Sequence, residues 1–314
     1  MEKNDKIYVA GHNGLVGSAI VRKLKENNYK NILTFEHKAF DLREKEDVNY
    51  IFDNYKIDYV FLAAAKVGGI NFNKKYPAEF MYDNLMIQTN VIHKAHLSKV
   101  KKLCFLGTAC IYPKFANIPI KEESLLTDVL EETNIAYAIS KITGYYTCKK
   151  YTEQYGFPTI SVMPNNLYGI CDNFNIEECH VIPGFIRKFI DAKERNQKSV
   201  VCWGDGSPTR EFLFSDDLAD ALIFLMNNYE DPTIINIGPE NEISILELAH
   251  TISDLVGYKG NITWDRTKPN GTPRRALDIS KINSLGWKSK TNLDDGLKIT
   301  INWFLKNRNS HAKI

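Results

Sequence analysis

The sequence predicts an α/β protein: a doubly wound parallel sheet followed by a smaller α/β lobe. Three observations carry this. Short apolar runs alternate with amphipathic stretches through the first half of the chain. A glycine-punctuated turn, GHNGLVG at 11–17, separates the first apolar run from the first amphipathic stretch. After about residue 170 the rhythm changes and helical patterns predominate.

The elements follow in order. KIYVAG (6–11) reads as a strand. GLVGSAIVRKLKENN (14–28) places Val16, Ile20 and Leu24 four apart, which is one buried helix face. NILTFE (31–36), YVFLAAA (59–65), KLCFLG (102–107) and PTISVMP (158–164) continue the strand series. Apolar strands separated by helices imply right-handed crossovers and a sheet covered on both faces. Beyond residue 170, VIPGFIRKFIDAKE (181–194) reads as a helix. REFLFSDDLADALIFLMNN (210–228) reads as a strand turning into a helix, capped by Ser215 or Asp216. PTIINIG (232–238) is a strand, SILELAHTISDLVG (244–257) a helix ending at Gly257, and 293–307 a last helix. Residues 1–170 form the expected dinucleotide-binding domain, with part of 205–240 returning to it, and 171–314 the substrate domain.

Composition narrows the function. The 314 residues are 44% hydrophobic, enough for a full core, and the net charge of +2 gives no reason to invoke nucleic acid or a membrane surface. The start MEKNDKIYVAG has no apolar leader, and no run is long enough for a membrane span. The six cysteines show no CxxC pair, so they read as reduced thiols in the cytoplasm, and no metal site is expected.

GHNGLVG spaces Gly11, Gly14 and Gly17 between a strand and a helix. Glycines there allow a sharp turn and close approach of backbone to a pyrophosphate, while the helix start (Asn13, Leu15, Val16) offers free N–H groups. The pattern predicts dinucleotide binding. Glu36 ends the second strand, where an acid binds the ribose hydroxyls of NAD, but His37 and Lys38 follow and could pair with a 2′-phosphate. The charges leave NAD(H) and NADP(H) both open. Asp41 and Leu42 either line the adenine pocket or cap a turn, and Ala63, Ala64 and Ala65 close the third strand beside the cofactor.

NIAYAISK gives Tyr137 and Lys141 at YxxxK spacing, one helical turn apart. A free phenol has a pKa of about 10, and a fixed ammonium beside it is expected to lower that value. Thr108, at the end of the fourth strand, adds a hydroxyl that can share a substrate carbonyl oxygen. Together these point to hydride transfer.

The motifs GHNGLVGSAI, LAAAKVGGI, NLMIQTNVI, CIYPK, PIKEESLLT, YAISKITG, NLYG, HVIPGFIRKF and NGTPRRALD occur in order over nearly the whole chain. In these the sequence resembles the extended short-chain dehydrogenases, and within them the GDP-L-fucose synthases. The resemblance implies a Rossmann domain, a C-terminal GDP-sugar domain, NADPH as the usual reductant and a homodimer. It implies that Cys110 and His180 act as the acid–base pair for epimerisation at C3 and C5, and that Thr108, Tyr137 and Lys141 serve reduction at C4, with His180 also near the cofactor. The family usually has Ser at the position of Thr108, and related enzymes often carry Arg at that of Asn13. For the GDP end the resemblance implies Arg210 on the diphosphate. Arg187, Trp203, Asn165, Lys268 and Arg274 are further candidates.

Chemically the set is coherent. A C4 ketone acidifies the hydrogens on both neighbouring carbons. A thiol and an imidazole are suited to trading those protons near neutral pH. The competing expectation is a C4 reductase on another GDP-4-keto sugar, such as a 6-deoxy-heptose, with little epimerisation. A dehydratase is disfavoured because such enzymes usually follow the Thr with Asp-Glu, where this chain has Ala109-Cys110. A non-catalytic sensor is disfavoured because Tyr137 and Lys141 are both kept.

Overall fold

The computed structural model describes residues 1–268 and 270–308. Pro269, which precedes the NGTPRRALD run, lies outside them.

The first half runs β1 (Lys6–Ala10), α1 (Leu15–Glu26), β2 (Asn31–Leu33), α2 (Lys45–Asn54), β3 (Tyr59–Leu62), α3 (Ile70–Lys75), α4 (Pro77–Leu97), β4 (Lys102–Leu106), α5 (Ile135–Tyr155) and β5 (Thr159–Pro164). The second half runs β6 (Asn166–Tyr168), α6 (Val181–Glu194), β7 (Ser199–Trp203), β8 (Thr209–Phe214), α7 (Ser215–Asn228), β9 (Ile234–Ile237), β10 (Glu242–Ser244), α8 (Ile245–Val256), β11 (Asn261–Asp265), β12 (Arg274–Arg275), α9 (Ser280–Ser284) and α10 (Leu293–Asn307).

The main sheet is six-stranded, in the order β2-β1-β3-β4-β5-β9, and every pair in it is parallel. Strand order reverses between β1 and β3, which opens a crevice at their carboxyl ends. One face is covered by a cluster that includes Val48, Ile51, Val91, Ile92, Ile142 and Tyr145. The other is covered by Ala19, Ile20, Leu24, Leu218 and Leu222, where α1 packs on α7. A third core gathers Phe174, Ile186, Phe189, Leu248, Ile252 and Phe304 around the strands of the second half.

Several elements are shorter than the periodicity predicts. Strand β2 stops at Leu33 because it is an edge strand with a single partner, β1. Strand β3 ends at Leu62, although the Ala63 N–H beyond it still donates to Ala10 O of β1 at 3.1 Å. The cap expected at Ser215 or Asp216 is absent: buried Phe214 holds the cap position, and Asp216 lies in the first turn of α7. There it pairs with Arg22 of α1, Nε to Oδ2 at 3.2 Å, so the carboxylate ties two helices together while facing the positive helix end. At α8 the expectation holds. Ser244 and Glu247 form a capping box, and Gly257 closes the helix at φ +75°.

Among the described residues, no helix is long and apolar enough to cross a membrane.

Candidate active site

The glycine loop leaves β1 at the crevice. Gly11 adopts φ +85°, and a Cβ there would lie 2.7 Å from the backbone nitrogen of Ala64. This close approach of the β1 and β3 ends requires glycine. A Cβ on Gly17 would lie 2.0 Å from the Gly11 carbonyl oxygen, so the first turn of α1 sits directly on the loop. Gly14 is different. Its missing Cβ would meet only the Gly11 oxygen, at 3.5 Å, which leaves its outer side open. Gly14 caps α1 without a side-chain bond to the first-turn N–H groups. The loop therefore presents unfilled donors and a bare backbone surface, which fits a dinucleotide pyrophosphate.

The loop's rim carries a closed polar cluster. Asn13 Nδ2 donates to Glu36 Oε2 at 2.9 Å, and His12 Nε2 contacts Glu36 Oε1 at 3.2 Å. The sequence gives no hint of this pairing. Asp41 holds a turn. Its carboxylate accepts the backbone N–H of Arg43 at 3.0 Å and the guanidinium at 2.6 Å, which hold its pKa low. Leu42 is buried in the core. Ala63, Ala64 and Ala65 are half-buried against the loop.

The reactive groups gather at the ends of β4 and α5. Beyond β4, Thr108 caps a single 3-10 turn, Ala109–Ile111, its Oγ1 accepting the Cys110 N–H at 3.2 Å. Cys110 is half-buried on that turn. Tyr137 and Lys141 are buried on the same face of α5. The Thr108 hydroxyl and the Cys110 sulfur are both near enough to the Tyr137 phenol to act on its ionisation. Lys141 Nζ is 5.9 Å from the Tyr137 ring centroid and 5.0 Å from that of Phe105.

The electrostatics correct one expectation. Burial raises the Tyr137 pKa well above its ordinary value, the nearby Cys110 charge adds to this, and the Thr108 hydrogen bond only partly opposes it. Lys141 is tied to the end of β4. Its amine donates to the Leu106 carbonyl at 2.8 Å, and burial pushes its pKa down to about 7. Burial thus favours the neutral phenol of Tyr137 over the phenolate.

His180 stands at the N-terminal cap of α6. Its surface is exposed, and the protein packed about it lowers its pKa. The loop before it is pinned where Gly69 N–H donates to Glu178 O at 2.8 Å.

The candidate nucleotide residues separate into engaged and open groups. Asn165 is buried with its amide donating to Glu211 Oε2, and Glu211 also accepts the Leu277 N–H at 3.0 Å. Arg187 donates to the Phe174 carbonyl at 2.8 Å. Trp203 is half-exposed, with the amines of Lys188 and Lys268 each 5.7 Å from its ring. Arg274 departs from expectation. Its guanidinium is paired with Glu242, Nε to Oε2 at 2.9 Å, and this pairing raises its pKa, so its charge is already matched. Its neighbour Arg275, which the sequence does not single out, is the register partner of Arg210 on the adjacent strand. Only the β8–β12 register distinguishes one arginine from the other.

Comparison with known proteins agrees with this geometry. The model of the NAD dependent epimerase/dehydratase family matches residues 7–238. GDP-L-fucose synthase 1 of Arabidopsis thaliana is 54% identical over 98% of this chain and 95% of its own length. The GDP-L-fucose synthase of Escherichia coli (strain K12) is 45% identical over 96% of this chain and 97% of its own. Among solved structures, MlghC, a GDP-mannoheptose C4 reductase from Campylobacter jejuni with NADP bound, superposes with a TM-score of 0.90 at 39% identity, over 97% of this chain and 99% of that one. The motif resemblance is borne out: the chain belongs to the NAD dependent epimerase/dehydratase family and, within it, to the GDP-L-fucose synthases.

Proposed function

We propose that the chain epimerises C3 and C5 of a GDP-4-keto-6-deoxy-hexose and reduces its C4 ketone, with NADPH as the favoured reductant and NADH as a second possibility. The observation that carries this reading is the cluster of half-buried Thr108 and Cys110 with buried Tyr137 and Lys141, in a fold whose first loop is shaped for a pyrophosphate. Held with its pyrophosphate at the Gly11–Gly17 loop, a reduced nicotinamide dinucleotide would supply the hydride. The chain's own groups do the rest. Cys110 and His180 exchange protons with the carbons flanking the ketone. Thr108 and Tyr137 donate to the ketone oxygen and so stabilise the enolate. Tyr137, kept protonated by burial, then transfers its proton to that oxygen as the alcohol forms. Arg210 and Trp203 are assigned to the nucleotide end, with Arg187, Asn165 and Lys268 as further contacts of the GDP-sugar.

NADPH is favoured because the Campylobacter neighbour holds NADP. Glu36, bound by Asn13 and His12, leaves room for NADH. The reading includes residues 1–170 as the cofactor domain and 171–314 as the GDP-sugar domain. It also includes a homodimer, for which the exposed apolar side chains Tyr82, Ile139 and Tyr146 on the paired helices α4 and α5 speak. A cytoplasmic location suits the six free thiols.

A second reading, reduction of a GDP-4-keto-heptose with little epimerisation, is favoured by the fold's closeness to the mannoheptose C4 reductase. One experiment separates the two. The protein is incubated in D2O with 4-keto sugars made from GDP-mannose and from GDP-heptose, with each reduced cofactor. Deuterium at C3 and C5 of a reduced hexose supports the first reading. A reduced heptose without deuterium supports the second, and no reduction of either sugar refutes both.

A further inference from the structure

We infer that Arg275 is the positioning residue for Cys110, locking the turn that carries the thiol to the strand that carries Arg210. The inference rests on the reading of Cys110 as an acid–base group.

The turn is weakly held from within. Its internal bonds are Cys110 N–H to Thr108 Oγ1 at 3.2 Å, Ile111 N–H to Thr108 O at 3.3 Å and Tyr112 N–H to Ala109 O at 3.2 Å. All are long, as is usual for a single 3-10 turn. Arg275 reaches across from β12 and supplies what is missing. Its Nη2 donates to Ala109 O at 3.0 Å and to Tyr112 O at 3.1 Å. These two carbonyls flank Cys110 and Ile111, so a single charged nitrogen sets the width of the turn at the thiol. Bonds from a charged donor are the stronger kind.

The other end of the clamp is the nucleotide side. Arg275 is aligned with Arg210 on β8. Among the described residues no carboxylate lies within ion-pairing distance of either guanidinium, and the Arg275 Nε is buried without a hydrogen-bond partner. Burial lowers the Arg210 pKa and the charge of Arg275 lowers it further. Two like charges side by side and unmatched by protein are relieved by an anionic ligand. The diphosphate of a nucleotide sugar has that chemistry. A ligand seated there would stiffen Arg275 and, through it, the Cys110 turn.

The test compares Arg275→Met, which removes the donors, with Arg275→Lys, which keeps a cation. Solvent deuterium exchange at C3 and C5 of the 4-keto sugar made from GDP-mannose is measured beside oxidation of the reduced product by NADP+, which needs no proton exchange at either carbon. In Arg275→Met, exchange falls by about 10- to 100-fold, the penalty of a misplaced group, and product oxidation falls far less. Arg275→Lys recovers part of the loss. Exchange at the parent rate in a folded Arg275→Met, or equal loss of both reactions, overturns the inference. If Arg275→Met fails to fold, Arg275→Lys carries the test, since an amine cannot reproduce the fork and exchange must still fall relative to oxidation. Cys110→Ser is measured alongside. Exchange that survives in Cys110→Ser brings down the thiol assignment and this inference with it. Exchange lost in Cys110→Ser but kept in Arg275→Met overturns this inference alone.

Discussion

Lys141 Nζ donates to the Leu106 carbonyl oxygen at 2.8 Å, joining the second turn of α5 to the end of β4. The bond fixes the amine among apolar neighbours, Phe105 included, and burial brings its pKa down to about 7.

The lowered pKa sets a pH dependence of stability. Below pH 7 the amine is protonated both folded and unfolded, and burying its charge is a full penalty. Between about 7 and an unfolded value of ~10.4, only the unfolded amine keeps the proton, so the penalty shrinks as pH rises. Lys141→Met therefore stabilises the ligand-free protein at pH 6 by roughly 3 kcal/mol, after allowing for the Leu106 carbonyl left without its donor. The gain fades by pH 10. Urea unfolding at both pH values measures it, and a gain independent of pH counts against the assigned shift.

Tyr137 gives the next expectation. Tyr137→Phe lowers the reductase kcat by about 10²- to 10⁴-fold, because the ketone oxygen loses its proton donor. Binding of NADPH by fluorescence titration stays close to the parent value. Thr108→Ser keeps the hydroxyl and most of the activity, whereas Thr108→Val loses it. Equal activity in the Ser and Val variants would remove Thr108 from the chemistry.

Cofactor choice turns on Glu36. Its carboxylate is held by Asn13 and His12 at the rim where a 2′-phosphate would approach. Glu36→Gln removes the repulsion and raises the NADPH-to-NADH ratio of kcat/KM by about tenfold, the scale of one charge acting on a phosphate through partly wet surroundings. An unchanged ratio would place the 2′ position away from this residue.

Gly17→Ala tests the loop. A Cβ there falls 2.0 Å from the Gly11 carbonyl oxygen, so loop and helix must part. Stability drops by about 2 to 4 kcal/mol and cofactor binding is lost. Gly14→Ala meets nothing nearer than 3.5 Å within the protein. It should fold normally and weaken cofactor binding alone, as thermal unfolding with and without NADP+ would show.

Asp172 gives the opposite pH dependence to Lys141. Its carboxyl is buried, with Oδ2 unpartnered, and burial raises its pKa to about 7. Above the ordinary carboxyl value, the unfolded chain releases the proton that the folded chain keeps. The penalty therefore grows as pH rises to about 7. Asp172→Asn retains the acceptor for the Asn173 N–H and stabilises the protein by about 2 kcal/mol at pH 8, with no gain at pH 3. Chemical unfolding at the two pH values checks the sign.

Much of this was legible in the sequence, because it rests on local rules. Alternating apolar runs and helical periods specify the parallel sheet and its two covered faces. Glycines at 11 and 17 are where backbone must touch backbone, and a YxxxK spacing puts two side chains on one helix face whatever the fold. What tertiary structure alone decided are the matters of partner and burial. Arg274 and Arg275 are adjacent in the chain, but the register with β8 and β10 sends one to Glu242 and the other to Arg210 and the Cys110 turn. Lys141 was expected to acidify Tyr137. Burial dominates instead, because the dielectric around a group belongs to everything packed about it and not to its neighbours in sequence.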